Sequence, residues 1–288
     1  NTTAVTVSYS EGGVTKTTTT PVTVTSISNT LASNSWATIR AVSDAGKGSN
    51  YWSVGDAKGI TINGKVGATT ISNLSISVFI LGFNHNASRE GSNRIHFQIG
   101  KINGTLVGLV DGNYGSSTST TGAFTMNTSY TNSGGWNNSH MRKTVLGSNS
   151  ASATSPAANT LLAALPADLR AVMKPATKYS DNTGGGSDTA SYVTSTTDLL
   201  PLLSEFEYHG ARTYANSAEK NYQAQYDYYK AGNSRVHYKH NATGTAASAW
   251  CRSVYSGNYY IFCRVNTDGS ASHYNAYYSW ALAPCFFV

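Results

Sequence analysis

His237 and His240, three residues apart with His209 upstream, come nearest to a metal-ligand spacing in this chain. The other histidines are His85, His96, His140 and His273. Metal ligation needs several such groups to converge. No spacing here gathers a set, so each histidine reads as a core or loop residue. Glu205 and Glu207 stand two apart, which points them away from each other on a helix. They make a poor acid–base pair, and Glu205 reads instead as a buried or capping acid that ties a loop down. Asp56 and Asp111 are the hard-oxygen candidates for calcium, without the dense Asp-x-Asp pattern of a dedicated loop. No cofactor is expected, with calcium as the one candidate ion.

Cys251, Cys263 and Cys285 form no Cys-x-x-Cys motif. Their odd number leaves either one disulfide and a free thiol or three buried thiols. Dinucleotide and phosphate-loop glycine motifs, the metalloprotease His pair and the Gly-x-Ser-x-Gly elbow are all absent from the sequence. The glycine-rich run at 183–188 has no lysine and no apolar strand before it, and reads as a loop. The chain is therefore not expected to be an enzyme.

The strongest chemical signal is aromatic. Six tyrosines lie between 255 and 278, flanked by Trp250 and the Phe286–Phe287 end. Tyrosine combines a rigid apolar body with a polar tip and is used heavily on binding surfaces. The candidate ligand-binding set is Tyr255, Asn258, Tyr259, Tyr260, Arg264, Asn266, His273, Tyr274, Asn275, Tyr277 and Tyr278. Trp136, Trp250, Arg252 and Pro284 read as the frame that holds them, with Arg252 anchored in the core. If residues 259–265 form a strand, alternate side chains face opposite ways. Tyr259 and Ile261 would then oppose Tyr260 and Phe262, and one set would be core.

The elements that must position this set read as α+β. Residues 1–26 alternate Val with Thr and Ser around Glu11–Gly12–Gly13, a β-hairpin pattern too short to own a core. Ser35 precedes Trp36, Ile39 and Val42 at helical spacing, predicting a helix over 35–46. Ile76–Phe83 reads as a central strand with 94–99 as its neighbour, and 105–110 as a further strand. Asn63–Gly64 carries a hairpin-turn signal. The Gly-, Ser-, Thr- and Asn-rich stretch from Asp111 to Gly135 reads as a long surface loop. A short helix is expected from 138, two more on either side of Pro166, and one at 199–208 with Ser204 and Glu207 as cap partners; 218–230 reads as another helix or an extended aromatic segment. Short strands close the chain near 247–252, 259–266 and 282–288, with a turn at Asp268–Gly269.

Charged residues make up only 12% of the 288, and the net charge of +6 is thinly spread. Arg142–Lys143 is its densest cluster, so nucleic-acid binding is not expected. No apolar run approaches a membrane span. A first residue of Asn reads as a mature, cleaved or engineered start.

Several segments together resemble a known family: YWSVGD (51–56), LGFNH (81–85), GGWNNSHMR (134–142), LPADLRAVMK (165–174), LLSEFE (202–207), YDYYKAGN (226–233), AWCRSV (249–254) and LAPCFFV (282–288). Across residues 30–288 the chain is similar to a Firmicutes domain of unknown function found in phage structural and cell-wall proteins. The resemblance implies a C-type-lectin-like, formylglycine-generating-enzyme-like domain over 27–288, with short helices and antiparallel strands. It also implies that 1–26 is the end of an Ig-like domain. Near 249 and 281–285 this chain departs from the family pattern while Arg252, Ser253 and Pro284 keep it. The composition of 251–278 resembles the variable region of proteins diversified by retroelements.

Three readings follow. The first is a non-catalytic receptor- or ligand-binding domain of a phage tip or bacterial surface protein. It is extracellular, and its partner is a host or bacterial surface protein or glycan. The second is a fibre, baseplate or decoration module that uses the tyrosine face as a subunit interface in a homo-oligomer. The third is a carbohydrate-active or formylglycine-type enzyme, for which no constellation is present.

Overall fold

A computed structural model describes residues 2–23 and 26–288. Asn1, Val24 and Thr25 of the expected N-terminal hairpin lie outside the described residues. Within it, β1 (Thr2–Glu11) pairs antiparallel with β2 (Val14–Thr23). The two-residue loop Gly12–Gly13 has φ of 57° and 79°. Two successive positive φ values give the turn whose twist matches a hairpin, and glycine reaches them without strain.

The main sheet holds β3 (Ala57–Val66), β4 (Thr69–Phe83), β5 (Ile95–Ile102) and β6 (Thr105–Gly108) as successive antiparallel neighbours. A smaller antiparallel pair is made by β7 (Ala176–Asp181) and β8 (Val193–Asp198). β9 (His237–Lys239) then joins the main sheet beside β6, followed by β10 (Ala242–Ala247). β11 (Ala249–Val254), β12 (Ile261–Val265) and β13 (Ala271–Asn275) form a separate three-stranded meander. The last strand, β14 (Cys285–Phe287), returns to pair with β5. The β6–β9 pair is parallel, which departs from the all-antiparallel expectation. Long intervening chain supplies the crossover that parallel pairing requires.

Ile76–Phe83 lies in β4 between β3 and β5, as its apolar run predicts. The first helix covers Trp36–Asp44, with the Ser35 side chain accepting from the Thr38 N–H. Trp36 packs edge-on to Phe97 and Phe286, whose rings stack 5.2 Å apart. The core therefore ties the first helix, the central strand β5 and the chain's last strand together. The helix at Glu205–His209 carries the capping box expected of Ser204 and Glu207. Short helices at Leu161–Ala164 and Ala167–Arg170 flank Pro166, which caps the second.

Four expectations are corrected. Asn63–Gly64 is not a turn but lies inside β3, where Ile60, Ile62 and Val66 keep facing the core and the register shifts. The reversal comes at Gly67–Ala68. Residues 111–135 are not a surface loop: Ala123, Phe124, Thr125, Met126 and Asn132 are fully buried. Polar backbone can be buried when every donor finds a partner. Here the Asp111 carboxylate accepts from the Phe124 N–H (2.8 Å), and the His140 ring accepts from the Gly122 N–H (2.8 Å). The segment 218–230, expected as one helix or an extended aromatic stretch, is neither: it forms two short helices, Ser217–Asn221 and Asp227–Lys230. Finally, β12 begins at Ile261, so strand alternation does not govern Tyr259 and Tyr260; Ile261 and Phe262 are both buried. No helix of the described residues is long and apolar enough to cross a membrane.

Candidate functional site

Six of the expected contact residues converge on one aromatic ridge. Tyr259 and Tyr260 lie in the turn leading into β12, with rings 4.9 Å apart. Tyr130, from the 111–135 segment, stacks on Tyr260 at 3.8 Å and meets Tyr277 edge-on at 5.4 Å. Tyr277 contacts Tyr278, and Tyr278 contacts Tyr274 of β13. Tyr274 meets Trp280 at 5.1 Å, and Trp280 meets Tyr114 at 5.3 Å. Arg264 of β12 lies over both Tyr274 (4.6 Å) and Trp280 (4.2 Å). The ridge therefore draws on loop 111–135, the turn before β12, and β13 with its exit. Tyr130 is 45% and Tyr259 57% exposed, the two most exposed aromatics outside the N-terminal hairpin.

Tyr255 and His273 are brought together, but elsewhere. Their rings stack at 4.6 Å, with Tyr214 edge-on to both. His273 and Tyr274 are consecutive in β13 and so point to opposite faces. Three asparagines serve the backbone. The Asn258 carboxamide oxygen accepts from the Tyr260 N–H, Asn266 closes the turn to β13, and the Asn275 carbonyl accepts from the Tyr278 N–H.

The ridge is held by Asn132, which is fully buried. Its side-chain amide donates to the carbonyls of Asn258 (2.7 Å) and Ile261 (3.0 Å), and its side-chain oxygen accepts from the Gly185 N–H (2.9 Å). Its own N–H donates to the Tyr259 carbonyl. The glycine-rich loop at 183–188 is thereby tied to the tyrosine turn. Asn132, Tyr130, Tyr114 and Trp280 were missed from the sequence. Three sat in a stretch read as surface loop, and Trp280 lies just beyond the tyrosine cluster.

Behind this face lies a buried polar network. Trp136, Trp250 and Arg252 of the expected frame are all buried, as is Pro284. The Trp250 indole donates to the Phe124 carbonyl, and Trp136 donates to Asp198, which also pairs with Arg142 at 2.7 Å. Arg252 forks onto both oxygens of Glu207 and donates to Ser180 Oγ and the Leu202 carbonyl. Lys178 sits between Glu90 and Glu207 and also donates to the Tyr226 hydroxyl. Burial pushes the Glu207 carboxyl up, but Arg252 and Lys178 outweigh it and hold it well below the usual range. Glu205, as expected, ties down a loop: it accepts from the N–H groups of Thr213, Tyr214 and Ala215.

His85, Glu90 and Glu207 bring their ligand atoms within 4.8 Å of one another. The Lys178 ammonium already bonds both carboxylates, and burial holds the His85 imidazole neutral with a pKa of about 3. Asp111 spends its carboxylate on Asn113, Phe124 and Ser279, and Asp56 accepts from the Ser53 N–H. The three cysteines are free and buried. Burial raises each thiol, that of Cys285 to about 12.

Glu219 gives this network a pH signature. It is fully buried, and that burial pushes its carboxyl up to about 7, against donors from Ser253, Asp181 and Gln223. A folded value above the unfolded one favours the protonated acid. The stability this group contributes is complete below the ordinary carboxyl range and is lost as pH rises through about 7. Glu219→Gln should therefore gain about 2 kcal/mol over the parent between about pH 5 and about pH 8. Urea unfolding across that range reads it, and parallel curves for the two proteins would refute it. Burial holds His209 and His237 near 4. Their loss of stability on acidification is common to both proteins and cancels.

No curated protein and no solved structure matches the chain. A family model described as a domain of unknown function, DUF6273, matches residues 117–288. That span contains every residue of the tyrosine ridge except Tyr114, and more than half of the protein. The chain therefore belongs to the DUF6273 family.

Proposed function

We propose that this domain is a non-catalytic recognition module of a phage tip or bacterial surface protein, and that its tyrosine ridge binds the ligand. One observation carries the reading: Tyr130 and Tyr259 stay exposed although they belong to a cluster assembled from separate chain segments. Exposed aromatics seated on a rigid scaffold are the composition of a contact surface, where a few such residues supply most of the binding energy. The low charge density and the family resemblance support an extracellular setting. A C-type-lectin-like scaffold, with an Ig-like segment in front, fits long ordered loops held between sheets. The non-catalytic part rests on the commitment of Lys178, Glu207, Arg252 and Asp198 to internal partners.

The test is an array of surface glycans and surface proteins, probed with the parent, Tyr130→Ala and Tyr259→Ala. Both sites are exposed, so melting temperatures should hold while binding of the captured ligand falls at least tenfold. Unchanged binding in both variants would sink the reading. If the parent self-associates and both variants are monomeric, the face is a subunit interface instead.

A further inference from the structure

The ridge has a chemical polarity along its length. At the Tyr259 end it is neutral. At the other end, Arg264 lies over Tyr274 and Trp280, and Lys239 lies 4.4 Å over the Tyr114 ring. Neither cation has a carboxylate within ion-pair distance among the described residues. Arg264 Nε makes one long bond to Ser272 Oγ (3.4 Å). Its Nη1 and the Trp280 Nε1 are buried with no acceptor in the protein. Its Nη2 has no acceptor either and, unlike Nη1, reaches solvent. A guanidinium normally uses its planar fork on a carboxylate or phosphate; here the group lies between aromatic faces with its outer Nη2 open and unpaired.

We infer that this end of the ridge takes an anionic saccharide. A sugar ring lies with its C–H face against Trp280 and Tyr278, and its carboxylate or phosphate accepts from Arg264, with Lys239 as the second cation. An apolar partner surface is a poorer match, because it would bury two unpaired charges. An anionic group supplies the acceptors that Arg264 lacks, and the aromatic rings select a flat, partly apolar body over a free inorganic anion. The inference rests on the recognition reading above and names its ligand class.

The experiment titrates the parent, Arg264→Met and Lys239→Met with trigalacturonate, its full methyl ester and maltotriose phosphate. Methionine keeps the stem packing of both cations, and equal melting temperatures confirm folded variants. The acid or the phosphate should bind the parent at least tenfold more tightly than the ester, and each variant should lose about tenfold. Binding should weaken as salt rises. Preference for trigalacturonate assigns a carboxylated ligand, preference for the phosphate a phosphorylated one, and both uphold the inference. Equal binding of acid and ester, unchanged affinity in Arg264→Met, or binding of none of the three overturns it. A neutral array ligand lost in Tyr130→Ala but retained in Arg264→Met would overturn this inference alone and leave the recognition reading standing.

Discussion

Arg252→Met should lower the free energy of unfolding by about 3–5 kcal/mol, the usual consequence of leaving a buried charge without its partner. Arg252 and Glu207 are both completely buried. Removing the guanidinium strips both Glu207 oxygens of a donor and leaves the Leu202 carbonyl and Ser180 Oγ with fewer partners. Methionine fills most of the volume, so the loss reports charge and hydrogen bonding more than a cavity. Lys178 and the Ser204 N–H still contact Glu207, which limits the loss. Removing both members, in Arg252→Met with Glu207→Met, should cost less than the two single variants summed, because no carboxylate is then stranded. Denaturant unfolding of the four proteins checks this, and a single-variant loss under about 1 kcal/mol would contradict the role given to the pair.

Asn132→Ala should cost about 2–4 kcal/mol and abolish ligand binding together with it, since each buried partner left unsatisfied costs about 1 kcal/mol or more. Three backbone groups lose a partner at once: the Asn258 carbonyl, the Gly185 N–H, and the Ile261 carbonyl, which keeps the Tyr255 N–H. Two of them bracket Tyr259 and Tyr260, so the stack on Tyr130 loses its anchor although no tyrosine is removed. Asn132 is a positioning residue, and the expected signature separates it from a contact residue. Affinity and melting temperature should fall together in Asn132→Ala, whereas in Tyr259→Ala affinity falls alone. Retained binding in a destabilised Asn132→Ala would contradict the positioning role.

The sequence was legible where chemistry is local. Ser204 and Glu207 are three residues apart, and their capping box needs nothing from the rest of the chain. Ile76–Phe83 was legible because a long apolar run has few places to go but the middle of a sheet. Arg252 read as a core anchor from its setting among Trp250, Cys251 and Val254. Its network did not, because Lys178, Glu207 and Tyr226 meet it only after folding. Asn132 failed for a different reason. Runs of Gly, Ser, Thr and Asn look like surface, and burial becomes affordable only through partners such as Asp111, His140 and Gly185 that the local pattern does not reveal. The tyrosine cluster was found by composition, but its division was not. β13 sends His273 to one face and Tyr274 to the other, and Tyr130 arrives from 129 residues away in sequence from Tyr259.

The claim that the ridge is the binding surface is tested most directly by hydrogen exchange with and without the captured ligand. Slowed exchange is expected in the backbone around Tyr130, from Asn258 to Phe262, and from Tyr274 to Trp280. Protection centred instead on Tyr214, Tyr255 and His273, or on the main sheet, with the ridge unchanged, would contradict it.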